Sequence, residues 1–379
     1  MKPCPFFVYM KMKSKQNLKG LDRDELTAFM VGLGEQPFRA RQLFRWMYGK
    51  AAQSFDEITD FARPLRRRLE EIAVLEDLAL VTRQISQRRD AEKFLFRLAD
   101  GLHIESVLMR EENRHTLCIS SQVGCPVDCK FCATGLMGLR RNLKTGEIVD
   151  QVLLARRLSD TPITNVVVMG MGEPMLNYEA LMKACYLLGD DEGPNLAQRR
   201  IVISTSGLAP KIARFTKEGH KFRLAISLNA TTDEVRDQIM PINRKYPIAA
   251  LLQAARDYTR QAKQRITFEY ILLAGVNDSL ADAERLKNLT RNIPCKINLI
   301  PYNPITKDSP DEHKQSVDQR PFMQSVLNFR RPSFERIEAF LARMREGSNT
   351  VTLRWSKGDD IDAACGQLWT KIEKAKTSE

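Results

Sequence analysis

The sequence predicts an α/β fold, six β/α units on a parallel sheet behind a small, mostly helical leading segment. Three observations carry this. Beyond residue 116, short β-branched or apolar runs alternate with stretches of helical period. Before about residue 90 the apolar spacing is helical, and from Lys93 it changes to that of strands. The 379 residues are ample for two or three domains and a sizeable core.

The leading segment reads as three helices. Asp22-Arg23-Asp24-Glu25 opens an amphipathic stretch that runs to Leu33 and stops at Gly34, and Pro37 starts a second one carrying Phe38, Leu43, Phe44, Trp46 and Met47. A third runs from Phe61 to Ile72, with Arg63, Arg66, Arg67 and Arg68 along it. Two strands then flank a turn at Asp100-Gly101: Lys93 to Leu98 and His103 to Met109. The division is expected at residue 92, giving a helical domain over 1–92 and a core over 93–379.

The core strands are expected at Thr116 to Ser120, Asn165 to Met169, Arg200 to Ser204, Phe222 to Leu228, Ile266 to Leu272 and Lys296 to Ile300. Helical patterns separate them: Gly146 to Leu158, Tyr178 to Leu188, Ala209 to Glu218, Pro247 to Lys263 and Leu280 to Ile293. Such repetition implies a parallel sheet covered by helices, either doubly wound or wrapped toward a barrel. A polar loop from Ile305 to Arg331 precedes a last helix, Phe334 to Arg345, and a last strand, Val351 to Trp355.

Lysine and arginine number 59 against 47 acidic residues, a net charge of +12, which points to an anionic partner. The first 100 residues hold 19 basic and 14 acidic groups, so the helical segment is a candidate docking surface for nucleic acid. Neither a signal peptide nor a membrane-length apolar run is legible, so the expectation is a cytoplasmic protein without a membrane partner.

Eight cysteines in a chain of this size do not suggest a disulfide-stapled secreted domain. Three of them, Cys125, Cys129 and Cys132, form a C-x₃-C-x₂-C loop straight after the first core strand. Zinc prefers four protein ligands in a closed site, and no fourth cysteine or histidine is close in sequence. A [4Fe–4S] cube on three thiolates leaves one iron free to take a small molecule, and this is the reading preferred here.

This spacing, with Phe131 before the last cysteine, resembles the radical S-adenosylmethionine (SAM) superfamily. The resemblance implies a partial (β/α)6 TIM-like barrel, SAM bound through its amino and carboxylate groups at the open iron, and a 5′-deoxyadenosyl radical. Gly170-Met171-Gly172-Glu173-Pro174 fails as a dinucleotide fingerprint for want of a third glycine. It resembles the GGEP-like turn of that superfamily, with Gly172 and Glu173 at the methionyl amino group. Small polar residues recur where later strands end: Ser204, then Ser227-Leu228-Asn229, then Asn303. In parallel barrels that edge holds the ligand.

Residues 116–125, 227–243 and 358–368 closely resemble the RlmN family, and the similarity extends over essentially the whole chain. The resemblance implies methylation of carbon 2 of adenosine in 23S rRNA and tRNA, with two SAM per turnover. By resemblance, Cys365 carries the methyl group and later a covalent bond to RNA. Cys118 then resolves the adduct and leaves a transient Cys118–Cys365 disulfide. Glu105 is a candidate acceptor for the carbon-2 proton, although its own context reads as a strand carboxylate facing water, and Cys118 is its rival. An external electron donor such as flavodoxin or ferredoxin and a monomeric state are also implied.

Cys185 and Cys295 read as inert buried thiols and Cys4 as a tail residue. Arg140, Arg141, Lys144, Arg330 and Arg331 are further candidate RNA contacts. The loop from Ile305 to Arg331 is longer than the family pattern, and Trp355 stands where basic or small polar residues are usual. The alternatives are a carbon-8 methyltransferase with the same cysteine set, a non-enzymatic RNA-binding protein with a structural cluster, and a radical SAM activase acting on a protein.

Overall fold

Asp22 starts the first helix as the sequence expects. Its carboxylate accepts from the Glu25 amide (3.0 Å) while the Glu25 side chain accepts from the Asp22 amide (2.9 Å), a reciprocal cap worth about 1 kcal/mol. The computed structural model describes residues 15–75, 78–305 and 329–369. Cys4 and most of the polar loop from Ile305 to Arg331 lie outside the described residues.

The leading unit comprises β1 (Gln16–Asn17), α1 (Arg23–Gly32), α2 (Pro37–Phe44), α3 (Arg63–Ile72) and β2 (Ala73–Val74), with β1 and β2 paired in parallel to close it. Leu26, Met30, Leu43, Phe44, Met47 and Leu69 are its buried centre. Four strands follow as an antiparallel meander: β3 (Leu78–Ile85), β4 (Ala91–Leu98), β5 (His103–Glu111) and β6 (Arg114–Cys118).

After β6 come the short β7 (Gln122–Gly124), α4 (Ala133–Leu136) and β8 (Leu139–Asn142), where β7 and β8 form a hairpin around the cysteine loop. The units continue as α5 (Thr145–Leu158), β9 (Asn165–Val168), α6 (Tyr178–Gly189), β10 (Ile201–Thr205), α7 (Ala209–Glu218) and β11 (Arg223–Ser227). Then follow α8 (Asp233–Ile239), α9 (Ile248–Ala262), β12 (Ile266–Leu272), α10 (Leu280–Thr290), β13 (Cys295–Pro301), α11 (Phe334–Arg345) and β14 (Thr350–Leu353).

One ten-stranded sheet results, in the order β14-β13-β12-β11-β10-β9-β6-β5-β4-β3. Strands β6 and β9 to β14 are mutually parallel. Their spatial order follows the chain without reversal, whereas a doubly wound sheet reverses at a switch point. This decides between the two expected windings in favour of a singly wound, open barrel-like sheet. All strand C-termini consequently point to one edge, and the site is built there.

Three differences from the sequence reading have physical causes. Strand β3, expected within the helical domain, is an edge strand exposed along most of its length, so it lacks the apolar alternation that marks a half-buried strand. Helix α8 is only seven residues long, too short for a periodic signal, and is started by the Thr232 hydroxyl on the Val235 amide (3.4 Å). Strand β14 ends at Leu353, where the Arg354 amide still donates to Leu299 O (2.8 Å), and beyond that bond the chain leaves the ladder, with Arg354 and Trp355 lining the cavity described below.

A buried ion pair joins the leading unit to the core. The Lys19 ammonium donates to Asp150 on α5, both side chains being fully buried, and Asp150 also accepts from the Leu78 amide (3.2 Å). Removing one partner leaves the other charge buried without compensation. The Asp150→Asn substitution is expected to cost about 3 to 5 kcal/mol, read as a lower urea midpoint.

Candidate active site

The cysteine loop is closed at its neck by glycine. Gly124 has φ +75°, and a Cβ there would lie 1.8 Å from the Gly138 carbonyl oxygen, so no other residue fits. That approach lets the Cys125 amide donate to the same oxygen (3.1 Å). Inside the loop the Cys132 amide donates to Cys129 O (3.1 Å), and the Lys130 amide reaches Ile239 O at the end of α8 (2.9 Å). Phe131 is buried in a second apolar cluster with Ala230, Ile239, Met240, Ile271, Ile300 and Tyr302, which seats the loop on the strand ends.

Cys125, Cys129 and Cys132 are half-buried and line one cavity of about 200 Å³. Burial raises all three thiols above their ordinary range, and Cys129 is raised further by its two neighbours. Among the described residues no group of three His, Cys, Asp or Glu side chains is arranged to hold a single metal ion. Three soft thiols around a shared cavity suit a larger iron–sulfur group better than a closed zinc site. The donor set therefore fits a [4Fe–4S] cluster.

The turn after β9 forms the next wall. Gly172 has φ +104°, and a Cβ there would come within 2.6 Å of Gln122 Cβ. The Glu173 amide donates to Gln122 Oε1 (2.8 Å), and its buried carboxylate accepts from the amides of Met175 (3.0 Å) and Ser206 (2.7 Å). Burial raises the Glu173 pKa against those hydrogen bonds. Ser204 and Ser227 line the cavity as the strand-end pattern suggested.

The remaining expected residues lie behind the wall, not in it. Leu228 is fully buried, and its carbonyl accepts from Arg236 Nε (2.9 Å). Asn229, at φ +56°, accepts from the Ile271 amide (2.9 Å) through its side chain and from Asn277 Nδ2 (2.7 Å) through its carbonyl. Asn303 donates to the Ser356 hydroxyl (2.7 Å) and so fastens a residue that does line the cavity.

Cys118 ends β6, Cys365 lies beyond β14, and the two meet in this cavity. Both are free thiols, and no disulfide joins them in this structure. Cys365 is open to water through the cavity while protein encloses its surroundings; burial pushes its thiol up to about 12, with the nearby Cys118 adding to the shift. Burial raises Cys118 to about 11, against the pull of Arg354. Cys185 and Cys295 are buried and line no part of the cavity, in keeping with inert thiols.

The segment that carries Cys365 is fastened on both sides. The Ala133 amide, next to Cys132, donates to Gly366 O (2.7 Å), and the Thr134 hydroxyl donates to Leu368 O (2.8 Å). From the meander, Glu105 accepts from the Trp369 amide (2.9 Å), and the Gln87 amide donates to Asp360 (2.8 Å). Glu105 does not face water: it is buried, pairs with Lys93 (3.3 Å), and lines no part of the cavity. Burial raises its pKa even so.

Sequence reasoning missed Glu269 and Arg236. Glu269 lines the cavity from β12; one oxygen accepts from Asn298 (2.9 Å) and the other has no partner among the described residues. The available signal was a carboxylate inside the apolar run Ile266–Leu272. Of the basic candidates, Arg141 is bound by Asp100 (2.6 Å) and Glu147 (2.7 Å), Arg331 donates to Tyr302 O (2.7 Å), and Arg140 and Arg330 are exposed.

Comparison with known proteins is decisive for the family. A dual-specificity RNA methyltransferase RlmN of Geobacter sulfurreducens is 47% identical over 367 residues, covering 97% of this chain and 96% of that protein. The chain belongs to the RlmN family. Another RlmN, from Anaeromyxobacter dehalogenans, is 46% identical over 93% of this chain and 91% of its own length. Residues 16–75 match the ribosomal RNA large subunit methyltransferase N-terminal domain, and residues 119–287 match the radical SAM superfamily. The crystal structure of a radical SAM methyltransferase from Sphaerobacter thermophilus superposes with a TM-score of 0.85 at 44% identity, covering 93% of this chain and 99% of that one. RlmN membership makes the protein a methyltransferase of an RNA-modifying family, with a partial-barrel radical SAM fold and the [4Fe–4S] cluster and SAM that the superfamily implies.

Two outcomes follow from the geometry. Glu105→Leu removes a charged acceptor worth about 1.5 to 3 kcal/mol, so amide exchange at Trp369 is expected to speed up by about 10- to 100-fold in a mass-spectrometric measurement. Because Cys365 is raised to about 12, it stays protonated at neutral pH. Its alkylation by iodoacetamide is expected to rise about tenfold per pH unit between about pH 7 and about pH 10, with no plateau.

Proposed function

We propose that the protein methylates carbon 2 of adenosine in 23S rRNA and in tRNA, through a methyl-cysteine and a transient protein–RNA bond. The observation that carries this reading is the meeting of Cys118 and Cys365 in the cavity lined by the three loop cysteines. The names of the relatives, dual-specificity RNA methyltransferases, support the substrate class.

Cys125, Cys129 and Cys132 would hold the cluster, which with SAM and an external donor such as flavodoxin or ferredoxin would supply 5′-deoxyadenosyl-radical chemistry to the cavity. Gly172, Glu173, Ser204 and Ser227 are the candidate SAM contacts on the cavity wall, and Leu228, Asn229 and Asn303 shape that wall from behind. Cys365 is the carbon carrier. Its thiol exchanges a proton for a methyl group from a first SAM, and that methyl loses one hydrogen atom in a cycle that consumes a second SAM. The carbon radical held on Cys365 adds to carbon 2, an electron-poor amidine carbon that a nucleophilic route does not serve, and joins protein to RNA.

After one electron returns to the redox group that supplied it and the carbon-2 proton passes to a base, Cys118 attacks the Cys365 sulfur. The sulfur–carbon bond breaks, the RNA carbon takes a proton to complete the methyl group, and a Cys118–Cys365 disulfide remains. Cys118 lines the cavity and Glu105 does not, which supports Cys118, in its thiolate form, as the direct acceptor of the carbon-2 proton, a proton it passes on before its sulfur attacks Cys365. Glu105 would then act by holding the Cys365 segment. External thiols must reduce the disulfide before the next turnover, in keeping with a monomer working in the cytoplasm. The helical unit, where Arg63, Arg66 and Arg67 outnumber Asp56 and Glu70 around one surface pocket, is the proposed RNA-docking domain. The adenine must leave its stack to reach the cavity.

The test is anaerobic reconstitution with iron and sulfide, followed by incubation of ribosomal and transfer RNA fragments with labelled SAM. Label is expected at carbon 2, located by NMR and mass analysis of the nucleoside. Cys365→Ala is expected to abolish it, and Cys118→Ala to leave RNA covalently bound on a denaturing gel. Label at carbon 8, or methylation that survives Cys365→Ala, overturns the reading.

A further inference from the structure

A buried cation stands behind the cysteine loop. Arg236, on α8, is fully buried, and its guanidinium is satisfied by neutral acceptors alone. Nε donates to Leu228 O (2.9 Å), Nη2 to Ser206 O (2.7 Å) and Ser227 O (3.1 Å), and Nη1 to Asn243 Oδ1 (3.0 Å). Asp233 and Asp237 are near and add attraction, but neither hydrogen-bonds the guanidinium; both accept from the Asn243 amide (3.0 and 2.7 Å). A buried charge without a direct ion pair is expensive unless an anion answers it.

The element that carries Arg236 packs directly on the loop. The end of α8 takes the Lys130 amide at Ile239 O (2.9 Å), and Cys129 and Cys132 pack against the apolar group containing Ile239 and Met240. Burial pulls the Arg236 pKa down to about 10.

We propose that Arg236 is the counter-charge of the iron–sulfur cluster, a positioning residue that raises the cluster's reduction potential while tying together the strand ends that face SAM. The inference rests on the cluster reading given above. A thiolate-bound cluster is anionic and gains one further negative charge on reduction. A fixed cation in a low-dielectric site stabilises the reduced form more than the oxidised one, and so eases the electron transfer that precedes SAM cleavage. The same guanidinium holds the carbonyls of Ser206 on the β10 side and Ser227 on the β11 side, both of which line the cavity.

The experiment is a reductive titration of the reconstituted full-length protein, followed by electron paramagnetic resonance. Arg236→Gln is expected to shift the midpoint to more negative potential at equal iron content, whereas Arg236→Lys, which keeps the charge, stays near the wild type. Asp237→Asn removes an opposing negative charge and is expected to shift the midpoint the other way. An unmoved Arg236→Gln, or an Arg236→Lys that moves as far, overturns the proposal. If Arg236→Gln does not fold, Asp237→Asn decides, and an unchanged or more negative midpoint sinks the idea. A wild type that assembles no iron–sulfur absorbance overturns the cluster reading and this inference together; a loaded wild type with unmoved variants overturns this inference alone.

Discussion

The site depends on one backbone contact, the approach of Gly124 to the Gly138 carbonyl. Closing the loop neck there directs Cys125 into the cavity and turns the following residues back onto the strand ends. Phe131 is then buried, the amide of Ala133 faces Gly366, and Cys365 is held opposite Cys118. The hydrophobic seat of Phe131 supplies the driving force, and the glycine supplies the geometry. Loop and Cys365 segment are therefore parts of one assembly, although the chain brings them from opposite ends of the core.

Burial organises the electrostatics of this assembly. Five thiols and the carboxylates of Glu173 and Glu269 share a cavity where desolvation favours their neutral forms. The groups that oppose this are placed around them: Arg354 beside Cys118 and Glu269, and Arg236 behind Cys129. Thiols kept protonated are poor nucleophiles, so Cys118 and Cys365 are guarded from indiscriminate chemistry until a partner enters the cavity.

Much of this was legible in the sequence because the relevant signals are local. The span Ile266–Leu272 appears as a strand and Ala209–Glu218 and Phe334–Arg345 as helices with the expected ends, since apolar period and flanking turn residues fix each within its own window. The loop cysteines were legible by spacing, and the outlying pair by family resemblance. What was not legible depends on the tertiary environment. Strand β3 is an exposed edge, and the importance of Arg236 comes from carbonyls that accept from it on two separate segments, Ser206 after β10 and Ser227-Leu228 at the end of β11. Asn229 was read as a ligand contact because it ends a strand, but its left-handed backbone and its bonds to Ile271 and Asn277 make it a fastener of neighbouring chain.

The singly wound order of the sheet has a consequence for the chain while it is being made. Strands join the sheet in the order in which they are synthesised, so the cysteine loop and its walls can assemble as the barrel grows. Cys365, by contrast, follows β14, the last strand among the described residues, and its anchors on Ala133, Thr134 and Glu105 have nothing to hold until residues 366–369 emerge. A chain made only as far as β14 thus has the cysteine loop and its walls without Cys365. Docking of the Cys365 segment onto Ala133, Thr134 and Glu105 therefore follows the building of the sheet.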